Sequence, residues 1–168
     1  MQTAHDFSEA ALWWKIFLLF HNRVWMLSVI EYKGHHFWQP IRSCYGEERN
    51  TDPALIYLRQ ARNAGEHGIA PAPVKVEPSL GIGGTGFIKE MRIESGRVTH
   101  FEKTPGITAT YSPSGIMCQP VTNYGVTYTP PEPRLASSLA GIGLRFYHRL
   151  FADIEAAEKK GAAESPST

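Results

Sequence analysis

Thr51–Gly68, TDPALIYLRQARNAGEHG, is the stretch that organises the chain. It reads as one short helix with its own start and stop signals. Thr51 or Asp52 serves as N-cap, and Pro53 takes the first helical position, where a missing N–H costs nothing. Gly68 follows the last polar residue as a natural C′ residue. Leu55, Ile56, Leu58 and Ala61 supply a face to bury. Arg59, Arg62, Asn63, Glu66 and His67 make a dense polar group at the far end.

On the N-terminal side, Ser8 to Glu31 reads as a helix. Leu12, Trp13, Ile16, Phe17, Phe20, Val24, Leu27 and Ile30 follow a helical stripe, with Trp14, Leu18, Leu19, Trp25 and Met26 partly off it. A helix apolar on most sides is either central in a bundle or shared with a second subunit, and the dimer interface is the expectation here. His21, Asn22 and Arg23 interrupt it and can face a common cleft with the polar helix end. Residues 32–50 are broken by Gly34, Pro40 and Gly46 and read as a polar connection anchored by Phe37 and Trp38. His35–His36 lacks a carboxylate or cysteine at ligand spacing, so no metal is expected.

Beyond the central helix the composition turns to Gly, Pro, Thr, Val and Tyr. Residues 70–133 read as a small antiparallel β insertion, with Phe87–Glu94 and Val98–Lys103 forming a hairpin about Ser95–Gly96. Ile107–Tyr111 and Val121–Thr129 are further extended pieces. GIGGTG at 81–86 spells a dinucleotide-binding pattern. Proline-rich chain precedes it and a strand follows, where that chemistry needs a strand and then a helix, so a loop leading into the hairpin is the better account. Arg134 to Lys160 is a long helix on Leu135, Leu139, Ile142, Phe146, Leu150 and Ile154; Gly141 and Gly143 in it can admit another helix closely. Residues 161–168 read as a frayed tail. The organisation is a helical core of 1–69 plus 134–160 around the 70–133 insertion: mainly α in core, α+β overall.

At 168 residues the chain is one domain with a small subdomain. A formal net charge of +1 excludes a global electrostatic footprint for nucleic acid, so contact with RNA must be local. Lys33, Arg42, Arg49 and Arg59 are candidates for backbone phosphate contacts, and Tyr147 and His148 are further polar positions on the last helix. Cys44 and Cys118 lie far apart and read as reduced thiols of a cytoplasmic protein. The polar N-terminus shows no signal peptide, and Ile16–Phe20 is too short an apolar run to span a membrane. Ser8, Ser43 and Ser137 lack a nucleophile-elbow context, and no carboxylates pair.

The polar helix end remains. On a regular helix Arg62 and His67 lie about 140° apart, while Asn63 and His67 stack at i, i+4 with Arg59 continuing the line, and Arg62 pairs with Glu66. On spacing alone this is an ordinary helix terminus, with a surface ion pair and a histidine favoured near the negative helix end. The same groups can also do chemistry. A histidine moves protons near neutral pH, arginine holds a phosphate with bidentate donors, and asparagine orients either.

YLRQARNAGEHGI, Tyr57 to Ile69, resembles the signature helix of the HEPN superfamily: Arg, four to six residues, then His, often with Asn directly after the Arg. The resemblance implies an α-helical bundle that dimerises with two Arg…His motifs facing each other. It implies a metal-independent endoribonuclease of toxin–antitoxin or phage-defence type, leaving a 2′,3′-cyclic phosphate and a 5′-hydroxyl. Carried over, His67 is the base or acid, Arg62 the phosphate-binding cation and Asn63 the orienting group, with Arg59, Glu66 and Arg23 as candidate substrate-binding residues. The expected partners are RNA, a second copy, and an antitoxin or regulatory protein, with no cofactor and no membrane. Some members keep the fold without nuclease activity, so a non-catalytic binding protein that recognises its partner through the β insertion is the second expectation.

Overall fold

The helix at 53–66 forms where its end signals place it. In the computed structural model, which describes residues 3–68, 71, 73–94, 97–112 and 114–164, the element order begins with α1 (Thr3–Tyr32), α2 (Trp38–Thr51) and α3 (Pro53–Glu66). Asp52 is the N-cap of α3: its Oδ1 accepts from the N–H groups of Ala54 at 2.8 Å and Leu55 at 3.0 Å. At the other end the His67 N–H donates to the Asn63 carbonyl at 3.2 Å, and Gly68 takes a φ of 67° that favours glycine. Ala54, Leu55, Tyr57, Leu58, Ala61 and Ala64 are buried, so α3 is the hub of the helical core.

The connection expected over 32–50 is largely a helix. Pro40 falls in the first turn of α2, where no intrahelical N–H is needed, so it does not break the helix. Gly46 lies in its middle, with its open side toward the Trp25 indole. Trp38 and Tyr45 are buried on its inner face, and the Tyr45 hydroxyl donates to Asp153 Oδ2 at 2.7 Å.

Two compact units follow. Residues 1–74 and 116–168 form one, and 75–115 the other. The second is narrower than the 70–133 insertion read from composition, because the returning chain packs with the helices. β2 (Ser79–Gly84) pairs antiparallel with β5 (Ile107–Ser112), and β3 (Ile88–Glu94) with β4 (Arg97–Lys103), as the hairpin reading expected. Residues 95 and 96, the expected turn, lie outside the described residues. The first four residues of GIGGTG are strand, not loop. Gly84 has φ +110°, and a Cβ there would lie 1.9 Å from the Gly106 carbonyl oxygen, so glycine is required by strand approach, not by a phosphate. β1 (Val74–Val76) and β6 (Gly115–Met117) form a further two-stranded pair.

Val121–Thr129, read as one extended piece, is a hairpin of β7 (Val121–Asn123) and β8 (Val126–Tyr128). Tyr124 and Gly125 both have positive φ, the pattern of a type I′ turn, and Tyr-Gly is not a pair that advertises one. This hairpin is sewn to α3. Asn123 Nδ2 donates to the Gln60 carbonyl at 2.7 Å and its Oε1 at 3.0 Å, and the Tyr57 hydroxyl donates to the Gln119 carbonyl at 2.8 Å.

The last helix, α4 (Ala136–Glu164), runs four residues past the expected end, and so takes in part of the stretch read as a tail. Leu139, Phe146, Leu150 and Ile154 are buried along it. Gly143 permits the close approach its position suggested: a Cβ there would lie 2.8 Å from His21 Cδ2 and 3.0 Å from Leu58 Cδ1. On α1 the buried line keeps only part of the stripe that periodicity favoured: Phe17 and Val24 pack against the core. Trp14, Leu18, His21, Trp25 and Ser28 face the other helices, buried or half-buried, while Leu12, Trp13, Phe20, Leu27 and Ile30 are exposed. Both lines are apolar at helical spacing, and only tertiary packing separates them. No helix among the described residues is long and apolar enough to cross a membrane.

Candidate functional site

The C-terminal turns of α3 pass beside the N-terminal half of α1 and the chain at 118–121. Between them lies a cavity of about 580 Å³. Trp14, Leu18, Leu19, Tyr57, Ala61 and Val121 give it an apolar wall, and Arg62, Glu66 and Lys15 are its charged groups. Helical geometry explains why Arg62 is there: Leu58, Ala61 and Arg62 share a face, so the side chain that follows two core residues emerges at the core's edge.

Arg62 is half-buried and its three nitrogens differ. Nη2 lies 2.5 Å from Glu66 Oε1, Nη1 donates to Asn63 Oδ1 at 3.2 Å, and Nε is buried without a hydrogen-bond partner among the described residues. The i, i+4 pairing with Glu66 is the one the spacing indicated. His67 is exposed at the C-cap, and its backbone N–H closes the last turn. Within one chain, then, Arg62 and Asn63 share a hydrogen bond, and Arg62 reaches Glu66 and not His67. Arg59 lies outside this group: its Nη1 donates to Asn50 Oδ1 at 2.7 Å.

The polar triplet on α1 separates. His21 is buried against Leu58, Gly143 and the Tyr147 ring, with neither imidazole nitrogen hydrogen-bonded. Burial, aided by the Arg49 charge, lowers its pKa to about 4, so the ring is neutral. Asn22 Oδ1 accepts from Arg49 Nη2 at 3.1 Å, and the Arg49 guanidinium lies over the Trp25 ring at 4.5 Å. Arg49 is therefore a buried structural cation and not an RNA contact; desolvation lowers its pKa to about 10. Tyr147 is buried and its hydroxyl donates to the His21 carbonyl. Arg23, Lys33, Arg42 and His148 are exposed. None of His21, Asn22 and Arg23 lines the cavity.

Sequence reasoning missed Lys15, Tyr57, Cys118 and Gln119 as cavity residues. The two on α1 and α3 sit on faces that a helical wheel assigns correctly, but nothing local indicates that residues 118–121 return to them. The Cys118 thiol is buried, and desolvation raises its pKa to about 11, which keeps it protonated and unreactive.

In the second unit, Glu90, His100 and Glu102 bring ligand atoms within 4.8 Å of one another. Arg92 Nε is 2.7 Å from Glu90 Oε1 and Lys89 Nζ is 2.8 Å from Glu102 Oε1, so both carboxylates already have cations. The group reads as an exposed cross-strand charge network.

Comparison with known proteins leaves the site to be read from its own geometry: no family model matches the chain, nor does any curated protein or solved structure.

Proposed function

We propose that the chain is a metal-independent endoribonuclease of HEPN type, acting as a homodimer with Arg62, Asn63 and His67 as its catalytic group. The observation that carries this reading is the state of Arg62. Its guanidinium stands at the edge of a cavity, is oriented by Asn63, keeps one buried nitrogen without a partner among the described residues, and lies just over one turn from an exposed histidine. An i, i+4 ion pair on a helix is worth only about 0.3–0.5 kcal/mol, so a phosphodiester that offers two oxygens displaces Glu66 at small cost.

In the proposed reaction His67 takes the proton of an RNA 2′-hydroxyl. The 2′-oxygen attacks the adjacent phosphorus, Arg62 holds the non-bridging oxygens as charge builds, and the 5′-oxygen of the next nucleotide leaves with a proton drawn from solvent, to which His67 later gives up the one it took. The products are a 2′,3′-cyclic phosphate and a 5′-hydroxyl. Since Arg62 is engaged with Glu66 and not His67 inside one chain, the reading needs the second copy to bring an arginine and a histidine onto one phosphate. The test is cleavage of RNA in EDTA by the parent, Arg62→Ala and His67→Ala. General acid–base groups contribute about 10²–10⁴-fold, so losses of that size are expected. Equal activity in all three sinks the assignment.

A second reading, a non-catalytic HEPN-like binding or regulatory protein, is favoured by one observation: the 75–115 unit leaves Phe87, Met91 and Ile93 exposed on one short stretch. Its partner, an antitoxin or other regulatory protein, would be captured only by chain carrying residues 81–129, with no RNA turnover at high protein concentration.

A further inference from the structure

Among the described residues, the outer face of α1 is a seam without a partner. Leu12, Leu19, Met26 and Ile30 are each about half exposed, with half-buried Ile16 on the same line. Their spacing, with Arg23 included, is four, three, four, three, four, which is the alternation that keeps a line of side chains facing a second helix. Trp13, Phe20 and Leu27, one heptad apart, flank that line and are 59%, 59% and 52% exposed. Such side chains can each bury about 100 Å² more, so the stripe offers on the order of 700 Å² per copy, close to the roughly 800 Å² per partner of a stable interface.

We propose that this seam pairs with α1 of a second copy, antiparallel, about a two-fold axis near residue 21. Charge fixes the direction. In a parallel pair Arg23 would sit in the seam opposite itself. In an antiparallel pair Arg23 faces Leu19 of the partner subunit, beside which its long stem can lie with the charge at the edge. Leu12 then meets Ile30 of the partner subunit, and Ile16 meets Met26 of the partner subunit. Beyond the apolar stretch, Glu9 and Lys33 are equally far in sequence from the midpoint and both exposed, Glu9 on the seam line and Lys33 in the turn directly after α1 ends at Tyr32. Antiparallel pairing sets each Glu9 against Lys33 of the partner subunit, twice by symmetry. Self-complementary charge at both ends favours a second copy of this chain over an unrelated helix. Leu19 belongs to both the seam and the cavity wall that carries Arg62, so the partner borders the site. The inference supplies the dimer on which the composite-site reading rests, yet it stands or falls by assembly alone.

The experiment is sedimentation equilibrium of the full chain over micromolar concentrations, with circular dichroism to verify folding. The parent is expected at twice the mass of one chain, and folded Phe20→Glu/Leu27→Glu at the mass of one. Glu9→Lys should weaken association about ten-fold, and Glu9→Lys/Lys33→Glu should restore it. With Cys44→Ser as background, Phe20→Cys should form a disulfide with itself. Trp13→Cys should not, but should cross-link in a mixture with Leu27→Cys. A parent that is monomeric at every concentration, or a dimer indifferent to the Phe20/Leu27 double variant, overturns the interface. Self-cross-linking of Trp13→Cys overturns its direction. RNA cleavage is scored separately: a dimer without nuclease activity refutes the catalytic reading and leaves this one intact.

Discussion

Arg62 Nη2 and Glu66 Oε1 stand 2.5 Å apart on successive turns of α3, so this cation of the cavity wall carries its own counter-ion. The pair is partly exposed and inexpensive to break, so under the proposed function Glu66 would gate phosphate binding more than support the fold. Glu66→Gln removes a negative charge beside the proposed phosphate position. RNA affinity should rise about three- to ten-fold at low salt, and the gain should shrink as salt screens it. Filter binding at two ionic strengths measures this; unchanged affinity at both would place RNA elsewhere.

His21 makes folding stability depend on acid. Its folded pKa is about 4 against an unfolded value of 6.5. Between those values the unfolded chain binds a proton that the folded chain excludes, so stability is full above pH 6.5 and falls as pH drops toward 4. From pH 7 to pH 5 the His21 contribution should fall by about 2 kcal/mol. Urea unfolding of the parent and His21→Leu at both values isolates the effect, because the variant should lose that share of the slope.

Gly141 and Gly143 should respond oppositely to alanine. Each replacement gains about 1 kcal/mol of helix propensity. At Gly141 the nearest atom to a new Cβ is the mobile Arg145 Nη1 at 3.4 Å, so Gly141→Ala should stabilise. At Gly143 the Cβ would meet buried His21 and Leu58 at 2.8–3.0 Å, and overpacking costs about 1–3 kcal/mol. Gly143→Ala should therefore lower the melting temperature while Gly141→Ala raises it.

The two cysteines should separate cleanly by alkylation. Cys44 is exposed, and Cys118 is buried with its pKa pushed up to about 11. At pH 8 iodoacetamide should modify Cys44 alone in the native chain and both in denaturant, as mass spectrometry would report. Rapid native labelling of Cys118 would mean that the 118–121 segment opens readily.

Much of the helical frame was legible because its signals are local. Asp52, Pro53 and Gly68 bracket α3, and the stripe of Leu139, Phe146, Leu150 and Ile154 marks α4. The hairpin of β3 and β4 was legible by alternation. What escaped depended on distance along the chain. α2 was hidden because Pro40 and Gly46 look like breakers until the first turn and the Trp25 contact excuse them. The two apolar lines of α1 are chemically alike, and only the packing of α2, α3 and α4 decides which is buried. Arg62 and Glu66 were legible as an ion pair. The cavity beside them was not, since one side of its wall, Cys118, Gln119 and Val121, returns from some sixty positions away in sequence.

The bonds from Asn123 to Gln60 and from Tyr57 to Gln119 clamp the middle of α3, and the burial of Ala61 and Ala64 carries that hold toward its C-terminal turn. Only the last turn, from Gly65 onward, projects past that clamp. Amide protons from Leu55 to Ala64 should then exchange with solvent slowly, and those of Gly65 to Gly68 quickly. Anything that settles on the motif will be recorded as slowed exchange over four residues at the tip of an otherwise immobile rod.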